Sequence, residues 1–294
     1  MDESGSGAGR ATGSEARARL LAGLPVTERH LDIGGISTSV LEGGEGPPVV
    51  LLHGIGSFSP EWSLVIPRLV GRNRVVVPDL PGLGSSDARG RRLDAATMTS
   101  WLLALIDRTC VEKPTLVGHS LGGSVAAHLA IRHGDRVRRV VLVDSSSLGR
   151  FRPALGLLVA LVRFGARPSP ASRERFLRKV LADPERARLG WGDLWAALEA
   201  YDLEQAGDKS VSSANGQLLR RIGARRIPSD QLRSIQVPVS MIWGRGDRLM
   251  PFGIAEKASR RFGWPLHGID DCGHGPHIER PAQLCDALEA YMEA

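Results

Sequence analysis

Cysteine is scarce in this chain of 294 residues. There are three, Cys110, Cys272 and Cys285, and none stands in a CxxC pair. An odd, scattered set excludes a disulfide-stapled scaffold and a cysteine-built metal site, and it fits a reduced, intracellular chain. Lysine is nearly absent, with four against 34 arginines. The net charge of +6 therefore reads as an arginine-rich surface. No stretch interleaves a basic stripe with aromatics, so no nucleic-acid partner is expected. Long apolar runs are missing too. A bilayer span needs roughly 20 apolar residues, whereas the longest candidate, Ala154 to Val162, is short and flanked by Arg152 and Arg163. The first residues show no basic-then-apolar pattern, which argues against a secretory signal and for a cytoplasmic location. What remains is ordinary: 42% hydrophobic and 24% charged residues, as in soluble globular proteins.

Residues 1–29 are rich in Gly, Ser, Ala and Arg and read as a flexible tail. From His30, two alternating runs around Gly34-Gly35 predict a hairpin. An unbroken apolar run, Pro48 to Leu52, follows, and the same type recurs at Arg74 to Val77, Thr115 to Val117, Val140 to Val143 and Val239 to Trp243. Strands covered on both faces have this character. Between them lie helical patterns, one with Met98, Trp101, Leu102, Leu105 and Ile106 on one face and Asp94 as its N-cap. The alternation predicts an α/β fold with a mostly parallel sheet. It breaks over residues 147–234, where helical patterns alone remain. That stretch reads as a helical cap inserted into a core of residues 30–146 and 235–294.

The chemistry centres on Gly118-His119-Ser120-Leu121-Gly122-Gly123. It follows a strand-like run and opens a helical one. A sharp strand-to-helix turn lifts a serine above the sheet edge, and the glycines relieve the crowding. The pentapeptide alone is weak evidence, since composition gives roughly a third of a match by chance; its place between strand and helix gives it weight. A serine hydroxyl needs a base, and the base an orienting acid. Asp247 stands in a Gly-rich turn after the Val239 to Trp243 run. His274 follows the next candidate strand, Leu266 to Ile269. The order Ser120, Asp247, His274 suits the motif. Backbone N–H groups of Leu121 and Ile55 are the candidate oxyanion donors. Asp144 is an alternative acid, His277 an alternative base, and His119 a packing neighbour. Phe58, Trp62, Trp191, Trp195 and Tyr201 are candidate pocket aromatics, and Arg220-Arg221 and Arg225-Arg226 candidate anion contacts.

Together, His53-Gly54, Asp79-Leu80-Pro81-Gly82-Leu83-Gly84-Ser85-Ser86, the Ser120 elbow, Gly244-Arg245-Gly246-Asp247 and Gly273-His274 resemble the α/β-hydrolase fold family over roughly residues 30–294. The resemblance implies an eight-stranded, mostly parallel sheet with a helical lid after strand six. It implies Ser120 as nucleophile, His274 as base and Asp247 as its partner, with no cofactor and no metal. The expected activity is acyl transfer on a small or medium ester or lactone. Carbon–carbon bond hydrolysis of a vinylogous diketone acid, cofactor-free perhydrolysis and a non-catalytic ligand-binding module are the alternatives. The expected partner is a small-molecule substrate, without a membrane span; the oligomeric state is left open.

Overall fold

A computed structural model of the chain describes residues 15–88, 90–150 and 153–293. Eight strands form one sheet: β1 (Thr27–Ile33), β2 (Ile36–Gly43), β3 (Pro48–Leu52), β4 (Arg74–Pro78), β5 (Thr115–His119), β6 (Arg139–Val143), β7 (Val239–Gly244) and β8 (Leu266–Ile269). Their order is β1-β2-β4-β3-β5-β6-β7-β8. β2 pairs antiparallel with β1 and β4, and every later pairing is parallel. This is the mostly parallel sheet expected from the apolar runs, with the eight strands that the family resemblance implies.

The reason is visible in β3. Val50 and Leu52 enter one apolar layer, while Val49 and Leu51 enter the layer on the opposite face. Successive side chains point to opposite faces, so a strand covered twice must be apolar at every position. Helices α1 (Glu15–Leu21), α2 (Ile66–Leu69), α3 (Ala95–Thr109) and α4 (Leu121–His133) precede β6. The first face packs α3 and α4, through Met98, Trp101, Leu102, Val125 and Leu129. Asp94 caps α3, its carboxylate accepting the Thr97 N–H at 3.1 Å. Among the described residues between β6 and β7 the regular elements are helical, with α5 (Leu155–Ala166), α6 (Pro170–Val180), α7 (Pro184–Trp191), α8 (Leu194–Gly207), α9 (Lys209–Leu218) and α10 (Ser229–Arg233). Helices α11 (Phe252–Phe262), α12 (Pro276–Glu279) and α13 (Pro281–Glu293) complete the chain. Leu284 and Leu288 of α13 pack on the second face of the sheet.

The tail reading fails from residue 15 onward. Residues 15–21 form α1, and the hairpin begins at Thr27 rather than His30. Composition misled because the residue that anchors α1 is an arginine. Arg17 is buried and reaches Asp79 at 3.0 Å, Glu28 at 2.8 Å and the Tyr201 hydroxyl at 3.1 Å. Residues 1–14 lie outside the described residues. Among the described residues, no helix is long and apolar enough to cross a membrane.

Candidate active site

β5 ends at His119 and α4 begins at Leu121, so Ser120 alone makes the turn. Its φ of 49° lies in the left-handed region, a strain of about 1–3 kcal/mol that the surroundings must hold. The neighbours leave no room for side chains. A Cβ on Gly118 would come 2.5 Å from the Gly122 backbone, and one on Gly122 would come 2.4 Å from the Leu52 carbonyl.

Ser120, Asp247 and His274 are brought together from three chain segments and are all buried. His274 Nδ1 lies 2.7 Å from Asp247 Oδ2, and His274 Nε2 lies 3.0 Å from Ser120 Oγ. The carboxylate at Nδ1 sets the tautomer: Nδ1–H donates to Asp247, and Nε2 accepts from the serine hydroxyl. The other Asp247 oxygen accepts the N–H groups of Leu249 (2.7 Å) and Met250 (2.8 Å). His274 itself is pinned by its N–H, which donates to the Val180 carbonyl at 2.8 Å.

The alternatives stand close by but point elsewhere. His277 Nε2 lies 3.3 Å from Glu61, and its ring stacks on Trp62. His119 Nε2 donates to the His274 carbonyl at 2.7 Å. Burial, with His277 and His274 beside it, pushes His119 well below the usual imidazole range. It is a neutral brace for the His274 loop. Asp144 Oδ1 accepts the Gly244 N–H at 2.9 Å. Burial, then the Asp247 charge, push its carboxyl well above the usual range. His119, Asp144 and His274 place ligand-type atoms within 4.8 Å of one another. Both His274 nitrogens are already engaged by Ser120 and Asp247, so this trio offers no free ligand set.

The two expected donors flank the serine. Leu121 is the first residue of α4, where the backbone N–H has no intrahelical acceptor. The Gly54–Ile55 turn packs on the elbow: a Cβ on Gly54 would come 3.3 Å from Ser120 Cβ. Gly56 N–H donates to Asn215 of α9 at 2.9 Å, which ties this loop to the helical segment. Ile55 and Leu121 both line a cavity of about 560 Å³ that also holds Ser120 and His274.

That cavity is mostly apolar, with Leu161, Phe164, Phe176, Leu198 and Leu219 among its walls. Of the five candidate aromatics only Trp195 lines it; Phe58, Trp62, Trp191 and Tyr201 are core residues. The arginine pairs at 220–221 and 225–226 do not line it either. Its arginine is Arg173, which the sequence reading passed over. Arg173 is buried and held by Asp202 at 2.5 Å and Glu199 at 3.5 Å, with its guanidinium over Trp195. Glu61 and Gln205 share the cavity wall. No local motif marks these residues: Arg173 and Gln205 sit on ordinary helices, and Glu61 on a short 3-10 turn, Ser59–Trp62.

A parallel sheet with a buried serine elbow, backed by a histidine and a carboxylate, is the architecture of a hydrolase. The chain belongs to the alpha/beta hydrolase family, whose model matches residues 49–287. It is similar to a pimeloyl-[acyl-carrier protein] methyl ester esterase of Aromatoleum aromaticum, 33% identical over 83% of this chain and 97% of that protein. It is also similar to a 2-hydroxymuconate semialdehyde hydrolase of a Pseudomonas species, 29% identical over 91% of this chain and 94% of that protein. Among solved structures, a 2-hydroxy-6-oxo-6-phenylhexa-2,4-dienoate hydrolase from a Rhodococcus species superposes with a TM-score of 0.80 at 25% identity, covering 92% of this chain and 99% of that one. The protein is an α/β-fold hydrolase.

Proposed function

We propose that the enzyme is a serine esterase that cleaves a small or medium ester or lactone with an apolar acyl part. The observation that carries this reading is the hydrogen-bonded series Asp247–His274–Ser120 opening on an apolar cavity. His274 Nε2 takes the Ser120 proton as Oγ attacks the carbonyl carbon. The oxyanion is received by the N–H groups of Leu121 and Ile55. His274 then protonates the leaving alcohol, and water activated by the same nitrogen releases the acid. Residues 147–234 act as the cap that shapes the acyl site. No step calls for a cofactor or metal.

The two kinds of relative differ in chemistry, and the cavity charge favours the ester. A vinylogous diketone acid carries a carboxylate, which needs an unpaired cation. Arg173 is already matched by Asp202 and Glu199, with Glu61 on the same wall. A second anion there would lose solvation without gaining a partner.

Intact mass after fluorophosphonate treatment tests the nucleophile: a single adduct on native protein and none on Ser120→Ala is expected. A panel of esters, lactones and diketone acids then tests the substrate class. Faster turnover of the diketone acids would overturn the ester assignment.

The acid assignment has its own test. Asp247→Asn removes the charge that fixes the His274 tautomer, and about a 10⁴-fold fall in kcat is expected, as for the equivalent change in a serine protease. Asp144 accepts the Gly244 N–H rather than facing His274, and asparagine keeps that acceptor, so a loss under about tenfold is expected from Asp144→Asn. A greater loss from the Asp144 change would exchange their roles.

A further inference from the structure

Helix α5 turns its apolar stripe outward. Leu155, Leu158, Val159 and Val162 recur at i, i+3, i+4 and i+7, a spacing that puts them on one face and ordinarily directs it to a core. Here they are 75%, 41%, 54% and 59% exposed. They make up four of the six exposed large apolar residues among the described residues. Helix α6 packs beside α5, with Phe176 stacked on Phe164. A groove between the two helices is lined by Val159, Arg163, Arg175, Arg178 and Lys179. Over residues 155–180, apart from Arg173 buried in the cavity wall, there are five basic residues and one acidic residue, Glu174, which pairs with Arg178. Leu158 and Val162 also line the cavity that holds Ser120. The exposed stripe therefore runs into the cavity mouth.

We propose that the α5 face and its basic groove dock peripherally on an anionic lipid surface, with the cavity mouth turned toward the acyl layer. An apolar helix face bordered by arginine and lysine lies well at such an interface, the stripe entering the headgroup boundary and the cations meeting lipid phosphates. A second copy of this chain would cover the stripe too, but a twofold contact sets the same basic groove against itself. The docking stands independently of catalysis. That a lipid-borne acyl ester reaches Ser120 through this mouth rests on the esterase reading above.

The test is co-sedimentation of the full chain, native and Ser120→Ala, with vesicles of phosphatidylglycerol and phosphatidylcholine and with vesicles of phosphatidylcholine alone. Both proteins are expected to bind the anionic vesicles at least tenfold more tightly than the neutral ones, and less tightly as salt is added. Leu155→Ser/Val159→Ser is expected to weaken binding at least tenfold while leaving circular dichroism and turnover of a short, soluble ester unchanged. Arg175→Glu/Lys179→Glu is expected to abolish the preference for anionic vesicles. No vesicle binding, or binding indifferent to lipid charge, overturns the proposal. So does a concentration-dependent dimer that the Leu155→Ser/Val159→Ser change dissolves in the absence of vesicle binding. Vesicle binding by a native protein that takes no fluorophosphonate would leave the docking intact and remove the esterase reading.

Discussion

Replacing Ser120 with alanine is expected to lower kcat for ester hydrolysis by about 10⁴- to 10⁶-fold, with little change in KM. Ser120 Oγ is the atom that faces His274 Nε2 at 3.0 Å. Without it, His274 and Asp247 have nothing to activate, and the backbone donors retain only the residual catalysis of an oxyanion site. The fold should survive. The elbow is held by backbone bonds the substitution leaves in place, from Ser120 N–H to the Val143 carbonyl at 2.9 Å and from Ser146 N–H to the Ser120 carbonyl at 3.1 Å. Kinetics on the purified variant, beside its thermal unfolding curve, would check both halves. Turnover within tenfold of native would remove Ser120 from the mechanism.

Arg17→Met is expected to destabilise the protein by about 3–5 kcal/mol, because it leaves a buried carboxylate without its cation. The carboxylate is Asp79, fully buried beneath the loop of residues 79–86. Its oxygens accept the N–H groups of Ser59 at 2.6 Å and Ser85 at 2.8 Å, and Arg17 lies 3.0 Å away. Gly84 sits so close that a Cβ there would come 2.2 Å from the Asp79 carboxyl carbon. Burial alone would push this carboxyl up; Arg17, then His53 and the two N–H donors, outweigh it and hold Asp79 below its usual range. A depressed folded-state pKa stabilises the fold at pH above the unfolded value, near 4, and that contribution is lost as pH falls through the folded value. In Arg17→Met the acid limb of the stability curve should flatten, since protonating Asp79 then costs less. Thermal melts across pH 3 to 7 would show it. Arg17→Met/Asp79→Asn should recover part of the loss at pH 7. An Arg17→Met protein that melts within a degree or two of native would refute the anchoring role.

The effect should also reach the active site. Buried His53 accepts the Leu80 N–H at Nε2 (2.9 Å) and donates from Nδ1 to the Gly54 carbonyl (2.8 Å). It couples the Asp79 loop to the turn that carries Ile55. Loosening one should therefore lower kcat through the other, by a smaller factor than loss of Ser120.

The strands, the serine elbow and the order Ser120, Asp247, His274 were legible in the sequence because each is a short-range signal. Apolar runs such as Val49 to Leu52 report coverage on both faces, and the glycines around Ser120 report a turn with no room for side chains. What the tertiary structure alone decided has a different physical basis. Asp144 and Asp247 both follow strands, and only the folded chain shows that His274 Nδ1 meets Asp247 while Asp144 meets the Gly244 N–H. The cavity draws its wall from Gly54 to Ile278, a span no local pattern can report. Arg17 looked like part of a polar tail because composition cannot show the buried carboxylate 62 positions away that gives it a place. Helix α5 had a core helix's pattern, and only its position in the fold left that apolar face open to solvent. Backbone geometry is encoded residue by residue, whereas ionisation, cavity shape and exposure depend on neighbours that meet only once the chain has folded.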